Sequence, residues 1–316
     1  MSATDPSPAP LRTWGDALQW GTLSLAAATA TPDLDAAVLL GHIVGASRAL
    51  LLAYPERLIT GERALAFAAL VARRSRGEPV AYLTGHREFM GLDLLIDPRA
   101  LIPRPETELL VELALEDARS RLEGGTPPVV ADLGTGSGAI AVALVAHEPR
   151  LPRVYAADIS TDALALAADN ASRLGVADRV TLLHGDLLAP IPGPVDLLVA
   201  NLPYVAPGDA EILPPDVRAY EPALALFGDE DGLGHLRRLF ADLPAYLRPG
   251  ASIYLEFGYD QRPALVALAQ TRLPTAAIRV FADYAGWDRI LVARLPDAPP
   301  TPRPDDNSAS RRSTAN

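Results

Sequence analysis

The chain has no cysteine and no lysine, and only 5 histidines among its 316 residues. Without cysteine there is no disulfide, no thiolate nucleophile and no cysteine-ligated zinc or iron–sulfur site. His42, His86, His147, His184 and His235 are scattered, with no H-x-x-H or H-E-x-x-H spacing. No metal site is expected, and each histidine reads as packing or surface. Long apolar runs are also missing, since none reaches the roughly 18 residues of a membrane-spanning helix. The Pro-rich, acid-containing start lacks the basic and apolar regions of a signal peptide. A cytoplasmic protein with no membrane partner is the expectation. Basic residues number 28 against 39 acidic ones, a net charge of −11 with a pI near 4.9. That balance repels phosphate backbones, so free nucleic acid is disfavoured as a partner and a protein substrate fits better. Arg73, Arg74 and Arg76 are a local cluster, readable as a basic patch or as a solvated helix end favoured by the helix dipole.

What is present points to a site at strand ends. Residues 196–204 read Asp-Leu-Leu-Val-Ala-Asn-Leu-Pro-Tyr, an apolar strand running into Asn201-Leu202-Pro203-Tyr204. A planar NH2 group that is to be methylated needs acceptors for its two hydrogens and a π face against its plane, and a strand-end loop supplies both. Asn201 offers its side-chain oxygen, Leu202 its backbone carbonyl, and Tyr204 a ring to wall the pocket. Pro203 restricts Leu202 to extended backbone, which aims that carbonyl outward. The plainer alternative is a strand-ending turn with no chemistry.

Upstream, Val129–Leu133 is a short apolar run suited to a buried parallel strand, followed by Gly134-Thr135-Gly136-Ser137-Gly138 and an Ala/Ile/Val/Leu helix. Strand, glycine turn and helix together bring backbone amides close to a ligand. The run also satisfies the dinucleotide fingerprint, with Ala139 in its last position, so the loop alone does not separate S-adenosylmethionine from NAD. A further strand ends at Asp158, 20 residues after Gly138, where a carboxylate can accept both ribose hydroxyls of either cofactor. Gly185-Asp186-Leu187 at the next strand end, with Asp186 for adenine and Asn201 for the target nitrogen, favours a methyltransferase. Singly, Asp132, Asp158 and Asp186 could be helix caps or solvated loop carboxylates, but three at successive strand ends argue against that.

With these motifs the chain resembles the glutamine-N5 methyltransferases of the HemK/PrmC type, over roughly residues 13–295. The likeness includes Glu78-Pro79-Val80-Ala81-Tyr82-Leu83, Arg87-Glu88-Phe89, Ile102-Pro103-Arg104-Pro105-Glu106-Thr107-Glu108, Glu221-Pro222-Ala223-Leu224 and Asp231-Gly232-Leu233. It implies methyl transfer from S-adenosylmethionine to the glutamine of the Gly-Gly-Gln motif in peptide chain release factors. Gly134, Thr135, Gly136, Ser137, Gly138, Asp158, Asp186, Leu187 and Asn201 would hold the cofactor. Asn201, Leu202, Pro203 and Tyr204 would hold the reacting amide, and Pro103, Arg104 and Glu106 would border the cofactor. Arg104 could equally be a structural ion-pair residue. Where the family usually carries Asn-Pro-Pro-Tyr, this chain has Leu202, a form more familiar from rRNA adenine dimethyltransferases. Because that position acts through its carbonyl, leucine keeps the acceptor at the cost of a looser φ. Methylation of a ribosomal-protein glutamine, and N6-adenine methylation, remain alternatives.

The implied architecture is α/β. A small helical substrate-recognition domain over 11–78 and a β-hairpin over 79–100 lead into a Rossmann-like class I methyltransferase domain over 101–296. Residues 1–10 and 297–316 are expected to be disordered tails. Thr13 and Thr31-Pro32 mark helix starts, Arg63–Arg76 another helix, and Thr107–Leu122 the first helix of the larger domain. Val80–Leu83 and Leu92–Ile96 are read as the hairpin strands. Strands near 129, 153, 180 and 195 alternate with helices, and Ser252–Phe257 and Arg289–Ala293 complete the sheet. By resemblance the last strand is antiparallel.

Overall fold

The computed structural model describes residues 11–297; the expected tails, residues 1–10 and all but the first residue of 297–316, lie outside the described residues. The front of the chain is helical: Trp14–Leu25, Pro32–Val44, Arg48–Ala53 and Gly61–Arg74. Thr13 opens the first helix with a reciprocal cap. Its hydroxyl accepts from the Asp16 amide at 3.1 Å, and the Asp16 carboxylate accepts from the Thr13 amide at 3.0 Å. Trp14, Leu25, Leu39, Leu40, Leu51 and Phe67 form the core of this bundle.

Arg73 and Arg76 are exposed at the helix end, as the solvated reading of the cluster expects, and Arg74 departs from both readings. Arg74 is buried, and its Nε donates to Asp35 at 2.7 Å, joining two helices of the bundle. Arg73 pairs with Glu78. A guanidinium enclosed with a carboxylate is a structural clamp, and removing one partner would leave the other buried and uncompensated.

The linker also differs from expectation. Val80–Leu83 is not a strand; Val80–Thr84 forms a short helix. Pro79 enters it at φ −60°, Gly85 closes it in the left-handed region at φ 75°, and the Thr84 hydroxyl donates back to the Val80 carbonyl at 3.0 Å. A four-residue apolar run suits either element, and these flanking residues decide it. The hairpin follows directly, with β1 over His86–Phe89 and β2 over Leu92–Leu95 in antiparallel register. Its two-residue turn, Met90-Gly91, has positive φ at both positions, as the twist of a tight hairpin requires.

The large domain is a seven-stranded sheet: β3 (Val130–Leu133), β4 (Val154–Asp158), β5 (Val180–His184), β6 (Val195–Ala200), β7 (Leu247–Glu256), β8 (Ala277–Ala282) and β9 (Asp288–Arg294). Their order across the sheet is β5-β4-β3-β6-β7-β9-β8. β9 runs antiparallel to both neighbours, as the resemblance implied, and β8 is an edge strand that the sequence reading passed over. Helices cover both faces. Leu110, Val111 and Ala114 of helix Pro105–Glu123 pack with Ile140, Val142 and Leu144 of helix Ala139–His147 on one face. Leu236, Leu239, Phe240 and Leu265, from helices Gly234–Tyr246 and Arg262–Arg272, pack on the other. From β3 the chain winds outward to β4 and β5, then returns to β6 on the opposite side. That reversal opens a crevice at the carboxyl ends of the strands, where α/β proteins bind ligands.

Asn170, fully buried in helix Thr161–Arg173, ties the hairpin to this crevice. Its Oδ1 accepts from the Leu95 amide at 2.7 Å, while Nδ2 donates to the Leu95 carbonyl at 3.0 Å and to the Ser137 carbonyl of the glycine loop at 2.9 Å. Replacing Asn170 by Ala leaves these backbone groups without partners. The expected loss is about 1–3 kcal/mol of unfolding free energy. Chemical denaturation of Asn170→Ala checks this, and a midpoint and slope equal to wild type would contradict the tether.

Candidate active site

Register explains why distant residues meet. Ala200 of β6 pairs with Leu133 of β3 on one side and with Leu255 of β7 on the other. One step further along these parallel strands, Gly134, Asn201 and Glu256 therefore stand side by side. The glycine loop and the Asn201 loop touch: a Cβ built on Gly134 would lie 3.0 Å from Leu202 Cδ2 and 3.7 Å from the Asn201 carbonyl, and φ there is +69°. At Gly138, φ is +80° and a Cβ would meet Ala167 at 3.0 Å, so only glycine lets the helix start this close to its neighbour. Leu202 is itself buried, which gives its departure from the usual proline a packing reason: the side chain fills the space that Gly134 leaves open.

A single cavity gathers most of the site residues expected from sequence. Gly134, Thr135, Gly136 and Ser137 line it, as do Asp158, Asp186 and Leu187, and Asn201, Leu202 and Pro203. Gly138 sits behind, capping helix Ala139–His147, and Tyr204 does not line the cavity. The Tyr204 carbonyl instead accepts from Gln261 Nε2 at 2.8 Å. Burial, reinforced by the charge of Glu256, pushes the Tyr204 phenol well above its ordinary value, so it stays protonated at neutral pH.

The carboxylates divide by role. Asp158 Oδ2 accepts from the Gly136 amide at 2.8 Å and Oδ1 from the Ser160 amide at 2.9 Å. Each oxygen has capacity for a further donor, and Asp158 lines the cavity, which suits a vicinal diol. Asp186 lines the wall with one oxygen paired to Arg238, and Leu187 beside it holds a left-handed φ of 48°, uncommon for leucine and typical of ligand-binding turns. Asp132 is fully buried behind the loop. Its Oδ2 accepts from the Thr135 hydroxyl at 2.6 Å and the Ala141 amide at 3.2 Å, while burial pushes its pKa up to about 7. It closes the glycine loop onto the helix.

Glu221, Thr107 and Glu256 join the site through partners that no local sequence signal marks. Glu221 is enclosed and accepts from the Ile102 amide at 3.1 Å and from Arg104, pinning the Ile102–Arg104 segment over the cavity. Arg104 is therefore both an ion-pair residue and part of the cavity wall. Thr107, buried in the first turn of helix Pro105–Glu123, donates its hydroxyl to Glu256 at 2.7 Å and accepts from Asn201 Nδ2 at 3.2 Å. Burial raises Glu256 to about 7 against the pull of the Thr107 hydroxyl and Arg289. Glu221 opens the stretch Glu221-Pro222-Ala223-Leu224, and only the fold reveals what it grips.

The cradle accommodates S-adenosylmethionine: glycines where a side chain would intrude, and on the cavity wall a carboxylate suited to ribose hydroxyls. Replacing Asp158 by Ala should weaken S-adenosylhomocysteine binding by about 1.5–3 kcal/mol, the value of hydrogen bonds to a charged group. Calorimetric titration reads this, and an unchanged dissociation constant in the folded variant would refute the assignment.

Comparison with known proteins agrees with this geometry. The PrmC N-terminal domain family matches residues 16–85 and the methyltransferase small domain family matches residues 107–213. The release factor glutamine methyltransferase of Moorella thermoacetica is 47% identical over 263 residues, covering 83% of this chain and 91% of its own. That of Bordetella pertussis is 44% identical over 261 residues, covering 82% and 93%. Among solved structures, the hMettl16 catalytic domain in complex with the MAT2A 3'UTR hairpin 6 shares the fold, with a TM-score of 0.51 at 16% identity over 78% of this chain and 87% of that one. No helix among the described residues is long and apolar enough to cross a membrane. The protein is an S-adenosylmethionine-dependent methyltransferase with a Rossmann-like class I fold, and it belongs to the release factor glutamine methyltransferase family.

Proposed function

We propose that the protein methylates the side-chain amide nitrogen of the glutamine in the Gly-Gly-Gln motif of peptide chain release factors, in the cytoplasm where those factors work. The observation that carries this reading is the state of Asn201. Its Nδ2 is committed to Thr107, and its Oδ1 accepts nothing from any described residue while Asn201 lines the cavity. A free amide oxygen beside the methyl-donor cradle is an acceptor for an N–H.

S-adenosylmethionine supplies an electrophilic methyl on a sulfonium whose sulfur becomes neutral on transfer. The protein's part is orientation and charge. An amide nitrogen is a poor nucleophile because its lone pair is delocalised into the carbonyl, so holding it in line does much of the work. Asn201 Oδ1 and the Leu202 carbonyl accept its two N–H groups and stabilise positive charge as it grows on nitrogen. Tyr204, protonated and off the cavity wall, is not a base; the surplus proton leaves to water. The leucine at position 202 has a packing reason of its own, since its buried side chain lies against Gly134. The excess of acidic residues also favours a protein over RNA.

Incubation with labelled cofactor and purified release factor, ribosomes or rRNA in parallel tests the substrate, with label expected in the release factor. Label in a ribosomal protein or in rRNA instead would displace this reading. Asn201→Ala should lose about 2.7–4 kcal/mol of transition-state stabilisation, as when an oxyanion-hole donor is removed. Near-normal turnover by that variant would sink the mechanism.

A further inference from the structure

A catalytic asparagine has a problem of its own. Its amide presents oxygen or NH2 with nearly the same shape, and the two ends do opposite things to a substrate NH2. Something must decide which end faces the cavity. Behind Asn201 lies a closed polar chain from three separate elements: Glu256 at the end of β7, Thr107 in the first turn of helix Pro105–Glu123, and Asn201 itself. Glu256 and Thr107 are 2% and 4% exposed, so water does not compete for these bonds.

A threonine hydroxyl has one proton. Ionised Glu256 only accepts, so Thr107 must spend that proton on it, at 2.7 Å. The hydroxyl can then only accept from Asn201, which must turn its NH2 inward, at 3.2 Å. Its oxygen is left for the cavity. We infer that Thr107 and Glu256 are positioning residues that set the orientation of the Asn201 amide so that oxygen, not NH2, meets the substrate nitrogen. This rests on the amide-methylation reading. Thr107 thus acts on the reaction through Asn201. The Glu256 carboxylate also draws the Asn201 NH2 inward, and without the Thr107 hydroxyl that weaker hold is what remains, so the amide rotates more freely and can oppose the substrate NH2 with its own.

The test compares Thr107→Val, Thr107→Ser, Asn201→Ala and the double variant Thr107→Val/Asn201→Ala at pH 8, above the raised value of Glu256. Thr107→Val should lower kcat by about ten- to a hundredfold, the scale of a misplaced reacting group. KM for release factor and the dissociation constant for S-adenosylhomocysteine should stay near wild type. Thr107→Ser, which keeps the hydroxyl, should recover most of kcat. The double variant should be no slower than Asn201→Ala alone, because both changes remove one device. Wild-type kcat in Thr107→Val, a serine variant as slow as the valine one, or additive losses in the double variant would each overturn the inference. A substrate-free measurement stands beside these. With 15N-labelled asparagine, the Asn201 side-chain protons should exchange slowly in wild type and fast in Thr107→Val, and equal exchange in both would also overturn it. Should wild type methylate no glutamine, the amide reading falls while the exchange experiment still decides how Asn201 is held.

Discussion

The parallel register of β3, β6 and β7 is the constraint on which the site depends. Ala200 faces Leu133 and Leu255 across the ladder, so Gly134 and Asn201, the first residues past β3 and β6, emerge beside Glu256, the last residue of β7, whatever the sequence distance between them. Winding reverses between β3 and β6, and there the strand ends face an open crevice. The glycine loop lines one side of it and the Asn201 loop lines the other. A one-residue slip of β6 would send Asn201 to the opposite face of the sheet and separate it from the methyl-donor cradle.

Arginine does the structural work around this frame, in a chain without lysine. Arg74 clamps two helices through Asp35, Arg104 holds a cavity loop through Glu221, and Arg121 bridges Asp117 to the Gly250 carbonyl. A planar guanidinium can serve a carboxylate and a carbonyl at once, which an ammonium does less well. Charges that look like a surface patch along the sequence are in part internal joints.

Much of this was legible from sequence because its signals are local. The strand, glycine loop and helix around residues 129–147, the Asn201 loop, the Thr13 cap and the Pro32 helix start each follow from neighbouring residues. The misreading at Val80–Leu83 came from a run too short for periodicity to sort, settled by Pro79 and Gly85 on its flanks. β8 was passed over because Ala277–Ala282 is a partly exposed edge strand without a buried apolar run. Long-range polar partners had no sequence signal at all. Asn170 reaches Leu95 across 75 residues, and Thr107 reaches Glu256 across 149. Such pairs are made by topology, and their chemistry shows only once the strands are in register.

The central claim is that a glutamine side-chain amide is held by the Asn201 oxygen and the Leu202 carbonyl beside the glycine-loop cradle. A crystal structure of the protein with S-adenosylhomocysteine and a Gly-Gly-Gln peptide tests it most directly. The account predicts both oxygens within about 3 Å of the glutamine amide nitrogen. A glutamine amide bound away from both acceptors, or an Asn201 turned to present its NH2 to the substrate, would contradict it.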